Sequence, residues 1–161
     1  MPAAEPVKEV RIIGVPLDVY RAAAEHFDEL KREFALLRME DDVAESIPNR
    51  LLEVSEQLST RYGGFTSSPN EERDRALRRG DDSVDLVYNV PVSVRDACVQ
   101  LETLLEEADE FCRAGEHLLT LAAAPEVISF RRWFLREFVR QINGEDPTSW
   151  ADYKSSIRGA V

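Results

Sequence analysis

The feature that most constrains this chain is a change of hydrophobic period that happens twice, each time at a Val-Pro step. The segments Arg11-Ile12-Ile13-Gly14-Val15-Pro16-Leu17-Asp18-Val19 and Leu86-Val87-Tyr88-Asn89-Val90-Pro91-Val92-Ser93-Val94 both pass from a β-rich run into a helical pattern. Proline cannot donate to a strand ladder but fits the first turn of a helix, so each Pro marks the switch. Before the second switch, Val84, Leu86, Tyr88 and Val90 alternate with Asp85, Val87 and Asn89, the pattern of a half-buried strand.

After the first switch, Val19, Ala22, Ala23, His26, Phe27, Leu30, Phe34 and Leu37 share one helical face, and the helix frays near residues 39–42. A second helix is predicted over 47–62, with Ser46 as its N-cap, Pro48 in its first turn and Gly63-Gly64 as a left-handed stop. A loop then leads into a short charged helix, 70–79, closed by Gly80. With only Ala76 and Leu77 to bury, the stretch 63–82 reads as an exposed, mobile connection. After the second switch, Val94, Ala97, Cys98, Leu101, Leu104, Leu105, Ala108, Phe111 and Cys112 form the face of a helix ending at Gly115. Pro125 opens the last helix, which stops at Asn143-Gly144. Residues 1–6 and 145–161 show no period and read as loosely packed tails.

Moving the first copy by 75 residues, from Pro16 to Pro91, superposes Val19 on Val94, Ala23 on Cys98 and Leu30 on Leu105. Such agreement arises from an internal β-α-α duplication or from helical hairpins of similar pattern. Either origin predicts one domain over 1–161, mostly helical α+β. Four long amphipathic helices pack as a bundle, and the two short strands pair on one side.

The chain has 161 residues and a formal net charge of -11. Its length supports a core without disulfides or metals. The charge argues against nucleic-acid binding, which needs cationic neutralisation of phosphates. No apolar run approaches the roughly 18 residues of a membrane helix. The N-terminal Met1-Pro2-Ala3-Ala4-Glu5-Pro6 lacks the features of a signal peptide. With two cysteines and no disulfide framework, the expectation is a cytoplasmic protein.

Catalytic signatures are missing. Gly63-Gly64 leads into Phe65-Thr66-Ser67 rather than a phosphate-binding helix start, and there is no Gly-x-Ser-x-Gly elbow. His26 and His117 lie on different segments, and Ala23 and Ala114 stand where a Glu-x-x-His metal pair needs glutamate. No catalytic residue, metal ligand or cofactor is therefore assigned. Cys98 and Cys112 lie roughly 21 Å apart along one helix, too far to bridge, and read as core fillers. Glu102, Glu106, Glu107, Asp109 and Glu110 suit a solvated face or one paired with a neighbouring basic helix better than a cation site.

The last helix offers the most. Val127, Ile128, Phe130, Phe134, Leu135, Phe138, Val139 and Ile142 form a broad apolar arc, and Arg131 falls inside it. A buried Arg131 needs an acidic partner, which the helix over 92–114 supplies. Arg132, Arg136 and Arg140 recur on the opposite face with Trp133 beside them, residue types enriched in interface anchors. They serve equally to complement the helix dipole and neighbouring acids.

Several strings resemble a known family. Gly14-Val15-Pro16, the run Glu25-His26-Phe27-Asp28-Glu29-Leu30-Lys31-Arg32-Glu33-Phe34-Ala35-Leu36-Leu37, then Arg61-Tyr62-Gly63-Gly64-Phe65, Glu107-Ala108-Asp109-Glu110-Phe111-Cys112 and the run from Phe130 to Phe138 are similar to blocks of an actinobacterial family of small acidic proteins. Its members are poorly characterised and tend to be encoded beside anti-sigma-factor kinases and STAS-domain antagonists. By association, the resemblance implies a regulatory, protein-binding role in partner switching, and it carries over no active-site residues.

Two expectations follow. One is a non-enzymatic regulatory module that binds a protein partner, such as an anti-sigma kinase or a STAS-domain protein, through Arg132, Trp133, Arg136 and Arg140. The other is a small-molecule sensor or enzyme with a pocket inside the bundle, where His26, Tyr88 and Arg131 converge. A homodimer through the apolar arc is compatible with either.

Overall fold

The computed structural model describes residues 4–40, 46–115 and 122–158. His117 and the start of the N-terminal tail lie outside them. The chain is α+β and mostly helical. Strand β1 (Val7–Pro16) leads directly into α1 (Leu17–Glu40), followed by α2 (Ile47–Tyr62), a 3-10 turn over Gly63–Phe65 and α3 (Ser67–Arg79). Strand β2 (Ser83–Pro91) precedes α4 (Val94–Ala114), α5 (Pro125–Ile142) and α6 (Trp150–Arg158). The order strand–helix–helix thus occurs twice, but α3 and α6 interrupt and extend it, so the halves are not exact copies.

The two strands pair antiparallel, with Val10 opposite Tyr88, Ile12 opposite Leu86 and Val15 opposite Val84. These six side chains are buried, whereas Glu9, Arg11, Asp85, Val87 and Asn89 face water. The alternation seen in the sequence is therefore the two faces of a two-stranded sheet. The register shifts between Ile12 and Val15. Gly14 sits in that irregularity at φ 72°, a conformation that favours glycine, and its N–H donates to the Asp85 carboxylate at 2.8 Å. The extra residue restores the phase that puts Val15 inward beside the start of α1.

Helix α1 packs on α2 and α5, and α4 packs on the same two helices, so the four longest helices form a closed ring of neighbours. Leu30, Phe34, Leu51, Leu104 and Ala108 fill its interior. Ser46 caps α2 by accepting the Asn49 N–H at 3.3 Å, with Pro48 in the first turn. Gly63 does not provide a left-handed stop: its φ is -57°, and the chain tightens into the 3-10 turn instead. Helix α3 begins at Ser67, earlier than the sequence suggests, and lies against β2 with Ala76 fully buried.

The stretch after residue 145 corrects the expectation of a loose tail. Trp150 opens α6 and is buried against Trp133 and Phe130, with ring centroids 5.4 and 5.8 Å away. A nine-residue helix that buries one side chain is too short to show a period, which is why the pattern hid it. No described helix is long and apolar enough to cross a membrane.

Candidate functional site

Helix α5 carries five of the seven residues singled out from the sequence, and its environment decides their roles. Trp133 is only 1% exposed, so it does not present a partner-binding surface. Its indole N–H donates to the Thr148 carbonyl at 2.8 Å, and its ring packs on Trp150. The helical wheel placed it outward because α6, which covers that side, was not visible in the pattern.

Arg132 and Arg136 do run along an exposed strip, but both reach to α4. Arg132 pairs with Glu106 at 2.8 Å and Arg136 with Glu102 at 2.7 Å. The Glu102 carboxylate holds the Arg136 guanidinium above its ordinary pKa. Arg140 turns the other way. It pairs with the buried Glu137, donates to Thr148 Oγ1 at 3.0 Å and to the Asp146 carbonyl at 3.2 Å, and so secures the segment that leads into α6. Further along α4, Glu107 pairs with Arg50 and Glu110 with Arg113. All four of these α4 glutamates are thus engaged in ion pairs within the chain.

Arg131 is buried and has the partner its position demands. Its guanidinium bonds both carboxylate oxygens of Asp109 on α4, and Nη2 also donates to the Leu105 carbonyl at 3.3 Å. Asp109 is 2% exposed and accepts the Ala123 N–H at 3.2 Å as well. Burial lowers the Arg131 pKa to about 10, with the positive charge of Arg132 acting in the same direction. The group therefore stays cationic at neutral pH, balanced by a carboxylate that water hardly reaches.

Beside this pair lies a cavity of about 220 Å³ between α1, α4 and α5. Its wall is mainly hydrocarbon and aromatic ring: Tyr20, Ala23 and Phe27 from α1, Leu101 and Leu105 from α4, and Val127, Phe130, Phe134 and Leu135 from α5. Ala24 lines it at an exposed position. His26 and Arg131 both border the space. Tyr88 does not. It stands one layer behind, edge-on to Phe134 at 6.1 Å and to Phe138 at 5.1 Å, and burial pushes its phenol well above the usual range. Tyr88 points inward from the sheet, and the α5 aromatics come between it and the cavity.

The aromatic residues that define the space were legible only as core. Tyr20 meets Phe130 and Phe134 edge-on at 6.1 and 6.4 Å, and the Arg73 guanidinium lies over its ring at 4.8 Å. Helical periodicity marks which side chains face inward but not where the packing between them leaves space. Cys98 and Cys112 are buried, and burial raises both thiols, Cys98 to about 12. Among the described residues no group of three or more His, Cys, Asp or Glu side chains could hold a metal ion.

No family model matches the chain, and neither the curated proteins nor the solved structures include a significant match.

Proposed function

We propose that this protein is a non-catalytic regulatory module whose input is a small apolar molecule held between α1, α4 and α5. One observation carries the reading: a cavity of about 220 Å³ with an apolar and aromatic wall, bordered by two polar side chains from different helices. An engineered apolar cavity of about 150 Å³ in another protein holds benzene, so this space suits a molecule of roughly nine non-hydrogen atoms. Apolar pockets with a few fixed polar groups are the usual form of a ligand site. The resemblance noted in the sequence supports a regulatory setting in the cytoplasm, where binding in the cavity would bias how α1 and α5 pack.

The test is a thermal-shift screen of small apolar compounds against the wild-type protein and Ala24→Trp. Ala24 is exposed, so the larger ring covers the cavity without overfilling the core. The reading expects stabilisation of the wild type that the variant loses. Stabilisation that persists in Ala24→Trp contradicts it.

The protein-partner reading keeps one support. The Arg132–Glu106 and Arg136–Glu102 pairs form a ladder on the surface of α4 and α5, where Arg136 keeps 53% of its side-chain exposure. A partner with complementary charges would dock there by exchanging pairs, and Arg136→Glu would abolish its capture while leaving the fold intact. Capture of an anti-sigma kinase or STAS-domain protein by Arg136→Glu as well as by wild type would exclude this surface.

A further inference from the structure

We infer that the ligand of the α1–α4–α5 cavity is an uncharged molecule, apolar but for one carbonyl-type acceptor, which the spare donors of Arg131 would hold. The inference rests on the cavity reading above and narrows it to a chemical class. A guanidinium offers five N–H donors. Arg131 spends one on each carboxylate oxygen of Asp109 and one on the Leu105 carbonyl. Its Nε–H and one Nη1–H make no hydrogen bond to the described residues, and the side chain borders the cavity.

The sign of the charge selects the ligand. Asp109 already balances Arg131 at a site where it is 2% exposed. A ligand carboxylate would add a second negative charge to a guanidinium that Asp109 already neutralises, and would give up its own hydration against a mainly apolar wall. A pure hydrocarbon would fill the space but cover the unused donors without giving them an acceptor. A ketone, ester or amide oxygen accepts one of those N–H groups and leaves the net charge of the site unchanged. The rings of Phe27, Phe130 and Phe134 then enclose the apolar remainder.

Cumene, acetophenone and benzoate have nearly the same shape and differ in the group attached to the ring: hydrocarbon, neutral acceptor and anion. Titration calorimetry of all three into the wild-type protein separates the alternatives. The expected order is acetophenone tightest, cumene about tenfold weaker, and benzoate weaker than acetophenone by at least about tenfold. In Arg131→Met/Asp109→Leu, which removes both charges together, acetophenone should lose its advantage while cumene binds as before. Benzoate binding tightest, or acetophenone binding no better than cumene, overturns the neutral-acceptor assignment and leaves the cavity reading standing. No binding by any of the three overturns the cavity reading itself, and this inference with it. The wild-type series is decisive even if the double variant fails to fold.

Discussion

The side chain of Gln141 closes the outer edge of β1 as a neighbouring strand would. Its amide nitrogen donates to the Arg11 carbonyl and its carbonyl accepts the Arg11 N–H, both at 2.8 Å. A two-stranded sheet has two open edges, and unpaired backbone groups there are costly when water is kept away. Helix α5 thus holds the first strand through a pair of bonds that no local pattern announces. Gln141→Ala should destabilise the protein by about 2 kcal/mol, read from urea denaturation with an unchanged slope. A loss below about 0.5 kcal/mol would show that water replaces the amide without penalty.

Asp109 and Arg131 make a second long-range relationship, and its two halves should behave differently from the whole. Asp109→Ala leaves the Arg131 charge without its partner and should cost roughly 3–5 kcal/mol. The joint replacement Arg131→Met/Asp109→Leu removes charge and countercharge together but leaves the Ala123 N–H without its acceptor, so it should cost about 1–3 kcal/mol, less than Asp109→Ala. Chemical denaturation of wild type, Asp109→Ala and the double variant compares the two losses. Equal losses in the single and double variants would mean that shape, not charge balance, sets the cost.

The thiols give a prediction with a definite sign. A rise from 9.0 to about 12 reduces the thiolate fraction of Cys98 at pH 8 by nearly three orders of magnitude, and burial raises Cys112 as well. Both should resist iodoacetamide at pH 8 in the native state and react once the protein is unfolded in guanidinium, as mass spectrometry would show. Rapid labelling of the folded protein at Cys98 would contradict its placement.

Trp150 tests the packing of α6. Its ring fills the space beside Trp133 and Phe130, so Trp150→Ala should cost roughly 3–5 kcal/mol and red-shift the emission of the remaining Trp133. Unchanged stability would restore the picture of a tail that contributes nothing to the core.

The sequence made some of this legible and hid the rest for physical reasons. Strand alternation around Tyr88 and the inward position of Arg131 are periodic signals, and both faces lie where the period puts them. The acids of α4 were visible as one face, and the arginines of α5 as another. Their pairing depended on which helices are neighbours, which period does not encode. Trp133 was misplaced because a wheel distinguishes one buried side from one wet side, whereas α5 is covered by α6 as well as by the bundle. His26 and Arg131 border one cavity, but Tyr88 stands behind Phe134, a difference of one layer that only packing fixes.

Titration of isotopically labelled protein with cumene, followed by nuclear magnetic resonance, reports on the cavity between α1, α4 and α5 residue by residue. Saturable shifts should concentrate at Ala23, Phe27, Leu101, Leu105 and Phe134 and disappear in Ala24→Trp. Shifts scattered over the surface, or equal in the two proteins, would contradict binding in the cavity.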